Sequence, residues 1–229
     1  MKKNGIIKRL MFTLCLGHNG GYLQFGGYSK KGFTEEPRWF KLAHKQDFKI
    51  GVNRILLGDK PISGYQIGFV DSGTSFAYFP KALYTTIKTF MASYCNKQKS
   101  RCGRSQYHKK NGRCFPFRYS WYPNGPQEFF DTFPPFIFEM RDTRGEMYEY
   151  TWRPSEYLYK DGNRNEYCFA FYEQNDNYIM MGGTFMRQHG YIFDVENERI
   201  GIARASCGGK PYSPAYYSRS KTWPVANEK

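Results

Sequence analysis

The 229-residue sequence lacks several features that define common classes of protein. It contains no run of about 18 apolar residues, so it predicts no transmembrane helix. It contains no Cys-x-x-Cys pair and no cysteine–histidine cluster at zinc-finger spacing, and we therefore predict no metal site and no cofactor. No signal peptide is recognised, because Lys8 and Arg9 interrupt the apolar stretch near the start and no small-residue cleavage site follows it.

Acidic residues are also scarce relative to basic ones. The chain has 20 aspartates and glutamates against 34 lysines and arginines, which gives a net charge of +14. Such a charge fits an acidic partner, but a solvated basic surface is the more common explanation. The densest basic stretch, residues 95–114, carries no RNA- or DNA-binding signature, so we predict no nucleic-acid partner.

Aromatic residues and cysteines, by contrast, are plentiful. Aromatic side chains make up 19% of the chain, with 20 tyrosines and 20 phenylalanines, which is enough for a sizeable core in one large domain or two small ones. Six widely spaced cysteines predict three disulfides and an oxidising compartment. Six cysteines allow fifteen pairings, and their spacing alone does not choose among them.

The distribution of glycine and proline predicts a fold made mainly of short strands. Both residues recur throughout, and β-branched and aromatic residues fill the gaps between them. Predicted strands lie in FTLCLG, GYLQFGGY, FKIGVNRILLGDKPI, YQIGFV, FPPFIFEM, GEMYEYTWRP, YCFAFYE, YIMMGGTFM, GYIFDV and RIGIARA. Apolar residues at helical spacing predict one helix over residues 80–95. A short helical turn is expected near residues 154–157 or 185–188. The predicted class is therefore all-β, with one or two short helices.

One stretch, FVDSGTSFAYFP at residues 69–80, places a carboxylate at the end of an apolar strand. Asp71 is followed by Ser72, Gly73, Thr74 and Ser75. Taken alone, Asp-Ser-Gly is most often a tight turn, because all three residues are good turn formers. The interpretation of this stretch therefore depends on the rest of the chain.

Four stretches together resemble the C-terminal lobe of a pepsin-like aspartic protease of peptidase family A1. FVDSGTSFAYFP resembles the second catalytic motif, and MFTLCLG with GYLQFGG resembles the strand pair that opens the lobe. IMMGGTFMRQHGYIFDVENERIGIARASC resembles the closing segment, and WRPSEYLY with YCFAF resembles the branch that includes plasmepsin V and the memapsins. The match keeps the family's order, and it implies a lobe over residues 1–207 followed by a polar tail over residues 208–229.

The resemblance implies a role for each residue of the motif. Asp71 would be one of two catalytic carboxylates that share a proton and activate a water for attack on a peptide carbonyl. Gly73 would let its backbone approach the carboxylates, Thr74 would hydrogen-bond Asp71, and Ser72 would contact the other lobe. Gly73, Thr74 and Ser75 would also bind the peptide or protein substrate.

The resemblance further implies a set of supporting features. Residues 180–182 would support the aspartate loop from beneath. The implied disulfides are Cys15–Cys207, Cys114–Cys168 and Cys95–Cys102. Such a protein would reside in the secretory pathway, a vacuole or lysosome, or outside the cell.

The chain carries one catalytic motif, whereas a pepsin-like enzyme uses two. Asp71 is the only aspartate followed two residues later by glycine, so we expect this chain by itself to be catalytically incomplete. The first hypothesis is the C-terminal half of an aspartic endopeptidase, whose partner is the N-terminal lobe. The alternatives are a non-catalytic relative that serves as a binding or structural module, and a homodimer in which a second copy supplies the other aspartate.

Overall fold

The computed structural model describes residues 1–18, 20–30, 32–44, 47–96, 102–104, 113–160 and 165–208. Most of the basic stretch at residues 95–114 lies outside the described residues, as does the predicted polar tail beyond residue 208. Asn19, in the turn between the first two predicted strands, lies outside them as well. Among the described residues, no helix is long and apolar enough to cross a membrane.

Strands dominate the described residues, and the predicted mostly-β class is confirmed. The strands are β1 (Met11–Gly17), β2 (Gly20–Phe25), β3 (Arg38–Lys41), β4 (Lys49–Val52), β5 (Arg54–Leu57), β6 (Lys60–Ser63), β7 (Gln66–Val70), β8 (Ala77–Pro80), β9 (Cys114–Pro116), β10 (Phe136–Arg141), β11 (Met147–Trp152), β12 (Leu158–Lys160), β13 (Glu166–Phe169), β14 (Phe171–Gln174), β15 (Ile179–Met181), β16 (His189–Asp194) and β17 (Arg199–Arg204). The helices are α1 (Lys81–Asn96), α2 (Pro126–Phe130), α3 (Pro154–Tyr157) and α4 (Gly183–Met186). The described residues thus contain four α-helices, which is more than the one or two short helices that were expected.

The described strands form four sheets, and several of them join distant parts of the chain. The first sheet has the order β2-β1-β16-β17-β3, so the start of the chain pairs with its last strands. A second five-stranded sheet has the order β14-β8-β15-β7-β4. In that sheet β15 runs parallel to β7 and β14 runs parallel to β8. These parallel pairs bring the segment after β7 against segments about 100 residues later.

Three predicted strands change partner or become helix within the predicted stretch. YCFAFYE divides at Ala170 into β13 and β14, because the Ala170 N–H donates to the Tyr157 carbonyl at 2.7 Å and its carbonyl accepts from Ala77 at 3.1 Å. YIMMGGTFM is a strand only as far as Met181 and continues as α4. FKIGVNRILL divides into β4 and β5, which belong to different sheets.

The predicted helix over residues 80–95 is present as α1, which begins one residue after Pro80. Leu83, Ile87 and Met91 form its buried stripe and pack into the main core. Burying each of these side chains fully is worth about 1.5–3 kcal/mol. The helix is therefore held by its contact with the sheets, as its apolar spacing predicts.

Three disulfides connect the six cysteines. They are Cys15–Cys207, Cys95–Cys102 and Cys114–Cys168, the same pairs that the resemblance implies. The first joins β1 to the segment after β17 across 192 residues, and the third joins directly opposed residues of β9 and β13. Three disulfides in one chain fit folding in the secretory pathway.

A group of polar side chains is enclosed within the core. We call it the buried polar cluster, and its members are Tyr150, Glu156, His189, Tyr191 and Arg204. The Arg204 Nη2 lies 2.6 Å from Glu156 Oε1, and both side chains are at least nine-tenths buried. The Tyr191 hydroxyl donates to that of Tyr150 at 3.0 Å. A buried charge is tolerated when it is paired in this way.

His189 is the titratable base of the buried polar cluster. Its Nδ1 lies 2.9 Å from the Arg187 carbonyl, and its Nε2 lies 3.1 Å from Arg204 Nη1. Arg204 Nη1 also lies 3.2 Å from Nδ1, and because a guanidinium can only donate, these contacts favour a neutral ring. Burial and then the Arg204 charge hold the pKa of His189 well below its usual range, and Arg153 lowers it further.

Candidate active site

The aspartate loop, residues 71–76, follows the end of β7. The Asp71 N–H donates to the Met181 carbonyl at 3.1 Å, which extends the parallel pairing of β7 with β15 by one residue. β7 and β15 are next to each other in the sheet, and β15 also lies next to β8, which leaves the loop. Both ends of the aspartate loop are therefore fixed to the same central strand.

The Asp71 carboxylate is oriented by its own loop. Its Oδ1 accepts a hydrogen bond from the Gly73 N–H at 2.9 Å, and its Oδ2 accepts one from the Thr74 hydroxyl at 2.5 Å. The Thr74 N–H also donates to the Asp71 carbonyl at 3.3 Å, which closes the turn. A Cβ on residue 73 would lie 3.2 Å from Asp71 Oδ1, so glycine permits this close approach.

The carboxylate lies at the surface of the described structure. Asp71 and Thr74 are half-buried, whereas Ser72, Gly73 and Ser75 are exposed. Within the described ranges, no lysine or arginine forms an ion pair with Asp71. The loop thus presents an oriented and partly accessible carboxylate flanked by hydroxyl groups.

Residues 180–184 support the aspartate loop from the other side. The Gly183 N–H donates to the Thr74 carbonyl at 2.7 Å, and the Thr184 N–H donates to the Ser75 carbonyl at 3.0 Å. A Cβ on Gly182 would lie only 2.1 Å from the Phe76 carbonyl oxygen, so no other residue fits there without movement. Sequence reasoning placed the support at residues 180–182 and missed the two donors that follow, which begin α4 in a stretch that it predicted to be strand.

Helix α4 links the aspartate loop to the buried polar cluster. The Trp152 Nε1 donates to the Thr184 carbonyl at 3.0 Å, and the Tyr150 hydroxyl donates to the Phe185 carbonyl. Tyr150 belongs to the buried polar cluster. Hydrogen bonds therefore connect the aspartate loop to α4, and α4 to the cluster. The sequence did not predict this connection, because the residues that form it lie in three separate segments of the chain.

A set of aromatic rings lies beside the aspartate loop and was not predicted from the sequence. Phe76, the last residue of the loop, has its ring 5.1 Å from that of Tyr159 and 5.2 Å from that of Tyr172. The Tyr78 ring lies 5.7 Å from Tyr172, and the Arg113 guanidinium lies 3.6 Å over the same ring. These partly exposed rings form an aromatic surface that begins at the last residue of the aspartate loop.

The described residues include no group of three or more histidines, cysteines, aspartates or glutamates that could hold a metal ion. The polar groups that surround Asp71 are backbone N–H groups and hydroxyls. What the loop offers chemically is therefore one carboxylate, placed to accept or donate a proton at the surface of the sheet.

Comparisons with known proteins show which family the chain is similar to. A family model described as eukaryotic aspartyl protease matches residues 1–205. Pregnancy-associated glycoprotein 2 of Bos taurus is 26% identical over 210 residues, which cover 88% of this chain and 48% of the relative. Aspartic proteinase 39 of Arabidopsis thaliana is 27% identical over 220 residues, covering 89% and 41%. The β-secretase of Strongylocentrotus purpuratus is 24% identical over 212 residues, covering 90% and 38%.

The chain spans about half the length of the curated relatives it matches, or somewhat less. The family model, by contrast, extends over almost all of the described residues, from the first strand to the last. The chain therefore belongs to the eukaryotic aspartyl protease family.

Proposed function

We propose that residues 1–207 form the C-terminal lobe of a two-lobed aspartic endopeptidase and that Asp71 is one of its two catalytic carboxylates. The observation that carries the proposal is the Asp71 carboxylate itself. Both of its oxygens are oriented by donors of its own loop, at 2.9 Å and 2.5 Å, and yet the residue stays half-exposed and unpaired with any described cation. An ordinary turn accounts for the bond from Gly73, whereas the second bond, from the Thr74 hydroxyl, fixes the other oxygen as well and orients the whole carboxylate.

In the proposed mechanism a second carboxylate, supplied by an N-terminal lobe, faces Asp71. Two carboxylates about 3 Å apart share one proton, because both cannot ionise easily at that distance. The ionised one takes a proton from a water held between them, and that water attacks the peptide carbonyl. The protonated one donates a hydrogen bond to the developing oxyanion. The bonds from Gly73 and Thr74 keep the Asp71 oxygens in position throughout these steps.

The exposed residues of the aspartate loop receive the remaining roles in this proposal. Gly73, Thr74 and Ser75 contact the backbone of the peptide substrate, and Ser72 contacts the matching loop of the N-terminal lobe. Ser72, Gly73 and Ser75 are exposed on the same loop as Asp71, which supports this assignment. The half-length coverage of the relatives supports a partner lobe of similar size.

We assign the chain to the branch of the family that includes plasmepsin V and the memapsins, and to the lumen of the secretory pathway, a vacuole or lysosome, or the exterior of the cell. The sequence similarity to a β-secretase supports the branch. The disulfide between Cys15 and Cys207 supports an oxidising compartment, since such bonds persist where thiols are not kept reduced.

The proposal is tested by peptide hydrolysis at acid pH. We expect pepstatin-sensitive cleavage between about pH 4 and 6 when the 229-residue chain is combined with the N-terminal lobe of a pepsin-like enzyme, and little cleavage by the chain alone. Asp71→Asn should abolish the cleavage. The matched control Asp59→Asn changes an exposed aspartate in the β5–β6 turn and should leave it unchanged.

The other outcomes identify the alternatives. Cleavage by the chain alone that rises with the square of its concentration would indicate a homodimer in which two copies supply Asp71. A mixture of the two lobes that stays inert, although the chain folds with Asp71 accessible and binds the N-terminal lobe, would indicate a non-catalytic relative. Either result replaces the two-lobed hypothesis.

A further inference from the structure

The three disulfides differ in how far they are shielded from solvent. Cys114 is exposed, whereas each of the other five cysteines is at most 3% exposed. Those five are Cys15, Cys95, Cys102, Cys168 and Cys207. A reducing thiolate has to reach one sulfur of the bond that it attacks. The Cys114–Cys168 disulfide is therefore the one bond of the three with a cysteine at the surface.

Cys114 lies on the outermost strand of its sheet. The sheet has the order β12-β13-β9, so among the described strands β9 pairs on one side only. The Phe169 N–H donates to the Arg113 carbonyl at 2.8 Å, and the Phe117 N–H donates to the Asn165 carbonyl at 2.7 Å. Because hydrogen bonds alternate along an antiparallel pair, the backbone of Cys114 points away from β13. The strand thus offers a backbone edge beside Cys114 to a partner that binds in an extended conformation.

Contacts other than the disulfide hold β9 in register. Phe115, which follows Cys114, is 1% exposed, and its ring lies 4.9 Å from that of Phe133 and 5.2 Å from that of Phe169. The backbone bonds to β13 also remain when the two sulfurs separate. Because Cys114 and Cys168 are directly opposed in this register, their thiols stay close to each other after reduction. The bond can therefore open and re-form without unfolding of the protein.

The other two disulfides lack this combination. Cys15 and Cys207 are packed with Ala205 in a small buried cluster of their own. Cys95 and Cys102 are fully buried in the main hydrophobic core. A thiolate reaches either bond only after the surrounding structure opens, and openings of core segments are rare in a stable protein.

Cys114 is also one residue away from the aromatic surface beside the aspartate loop. The guanidinium of Arg113 lies 3.6 Å from the centre of the Tyr172 ring, and its Nη2 donates to the Phe171 carbonyl at 3.2 Å. The Tyr172 ring lies 5.2 Å from that of Phe76, the last residue of the loop. The disulfide thus fixes the end of β9 whose neighbour makes these contacts.

We propose that Cys114–Cys168 is a reversible redox site, which a protein dithiol of the thioredoxin type reduces while the other two disulfides stay intact. The partner's first thiolate attacks Cys114 Sγ, the bond to Cys168 breaks, and its electron pair leaves with the Cys168 sulfur, which takes up a proton. The partner's second thiolate then breaks the mixed disulfide and releases Cys114, which also takes up a proton. The protein gains two electrons and two protons, and the partner is oxidised to a disulfide.

The test locates the reduced cysteines in the 229-residue chain. The oxidised protein is treated at neutral pH with dithiothreitol, or with a reduced thioredoxin, and then with iodoacetamide, and peptide mapping by mass spectrometry identifies the labelled positions. We expect Cys114 and Cys168 to be labelled at least about 100-fold faster than the other four cysteines with either reductant. Equal rates for the three disulfides, or labelling only in denaturant, would overturn the inference. Reduction by dithiothreitol but not by thioredoxin would contradict the protein partner.

Serine variants check which bond is reduced. Cys95→Ser with Cys102→Ser keeps the exposed bond and should still be labelled at Cys114 and Cys168. Cys114→Ser with Cys168→Ser should take up no label under the same conditions. Oxidised glutathione should restore the original pairing in the reduced wild type, and a failure to restore it would show that the site is not reversible.

Hydrogen exchange separates a local change from unfolding, and it requires no enzymatic activity, so the inference does not depend on the proposed function. In the reduced wild type, exchange should rise about ten-fold at the N–H groups of Phe117 and Phe169, which join β9 to β13, and it should stay unchanged in β1. An increase that extends to β1 would show that reduction unfolds the protein, and it would overturn the inference.

Discussion

The aspartate loop and the buried polar cluster use the same kinds of groups in opposite ways. In the cluster, Glu156 is 1% exposed and is paired at 2.6 Å with Arg204, which is 7% exposed. In the loop, Asp71 is half-exposed, and its carboxylate accepts bonds from Gly73 and Thr74 without an ion pair to a described cation. One carboxylate is neutralised by its surroundings, and the other is oriented and left available.

The difference follows from the cost of burying charge. An unpaired charge within the core costs several kcal/mol, so a buried carboxylate has to have a partner before the protein can fold. A carboxylate at the surface has no such requirement, and its contacts can serve orientation alone. We therefore expect substitutions in the buried polar cluster to change stability and substitutions in the aspartate loop to change activity.

The largest expected effect on stability comes from Glu156→Gln. Loss of the carboxylate leaves the Arg204 guanidinium buried without its counter-charge, which should lower the free energy of unfolding by about 3–5 kcal/mol. Glu139→Gln is the control, because Glu139 pairs at 2.7 Å with an exposed Arg54. That change should cost about 0–1 kcal/mol. Equal losses in urea denaturation would remove the distinction between the two pairs.

Gly182→Ala tests the contact between the aspartate loop and the segment beneath it. The new Cβ would lie 2.1 Å from the Phe76 carbonyl oxygen and 2.6 Å from that of Thr74. Both atoms are backbone, so the loop has to move, and we expect a loss of about 3 kcal/mol together with a loss of activity. Gly27→Ala, where a Cβ meets nothing within 4 Å, should be neutral to within about 0.5 kcal/mol. A neutral Gly182→Ala would mean that the loop is not held from this side.

His189 makes the stability of the buried polar cluster depend on pH. Its pKa in the folded protein lies well below the ordinary 6.5, so the unfolded chain binds a proton that the folded protein does not. The stabilisation is complete above that ordinary value and declines as the pH falls below it towards the pKa of the folded protein. His189→Gln should flatten this part of the curve of unfolding free energy against pH. Parallel curves for the variant and the wild type would contradict the assignment of a neutral buried ring.

Thr74→Val has the smallest expected effect on stability and a clear one on activity. It removes the hydroxyl that donates to Asp71 Oδ2 at 2.5 Å, and the carboxylate loses one of its two fixed contacts. We expect the rate of hydrolysis to fall about 10-fold to 100-fold, with a change in unfolding free energy of about 1 kcal/mol or less. Thr85→Val, on the exposed side of α1, is the control and should leave the rate unchanged. An unchanged rate in Thr74→Val would show that the loop does not need this bond.

Local patterns predicted the elements whose partners are close in sequence. The turn between β16 and β17, the helix after Pro80 and the strand that leads to Asp71 all carry their own signals of spacing and turn chemistry. The elements that were missed depend on distant partners. YCFAFYE has no local sign of a division at Ala170, because the groups that divide it belong to Tyr157 and Ala77.

The candidate site was predictable to a similar extent. The residue types around Asp71 are adjacent in sequence, so the motif specified the loop. The α4 donors and the aromatic surface were not predictable, because they combine residues from several separate segments. Phe76 and Tyr172, for example, are 96 positions apart in sequence, and their rings lie 5.2 Å apart because β8 and β14 are neighbours in one sheet.

The most direct measurement compares Asp71→Asn with Glu156→Gln in the same reconstituted enzyme, with the initial rate of peptide hydrolysis at pH 5 expressed per folded molecule. We expect Asp71→Asn to lose at least about 1,000-fold in rate while its free energy of unfolding stays within about 1 kcal/mol of the wild type. Glu156→Gln should lose stability and retain its rate per folded molecule to within about ten-fold. Strong pepstatin-sensitive hydrolysis by pure Asp71→Asn protein would contradict the assignment of Asp71 as a catalytic carboxylate.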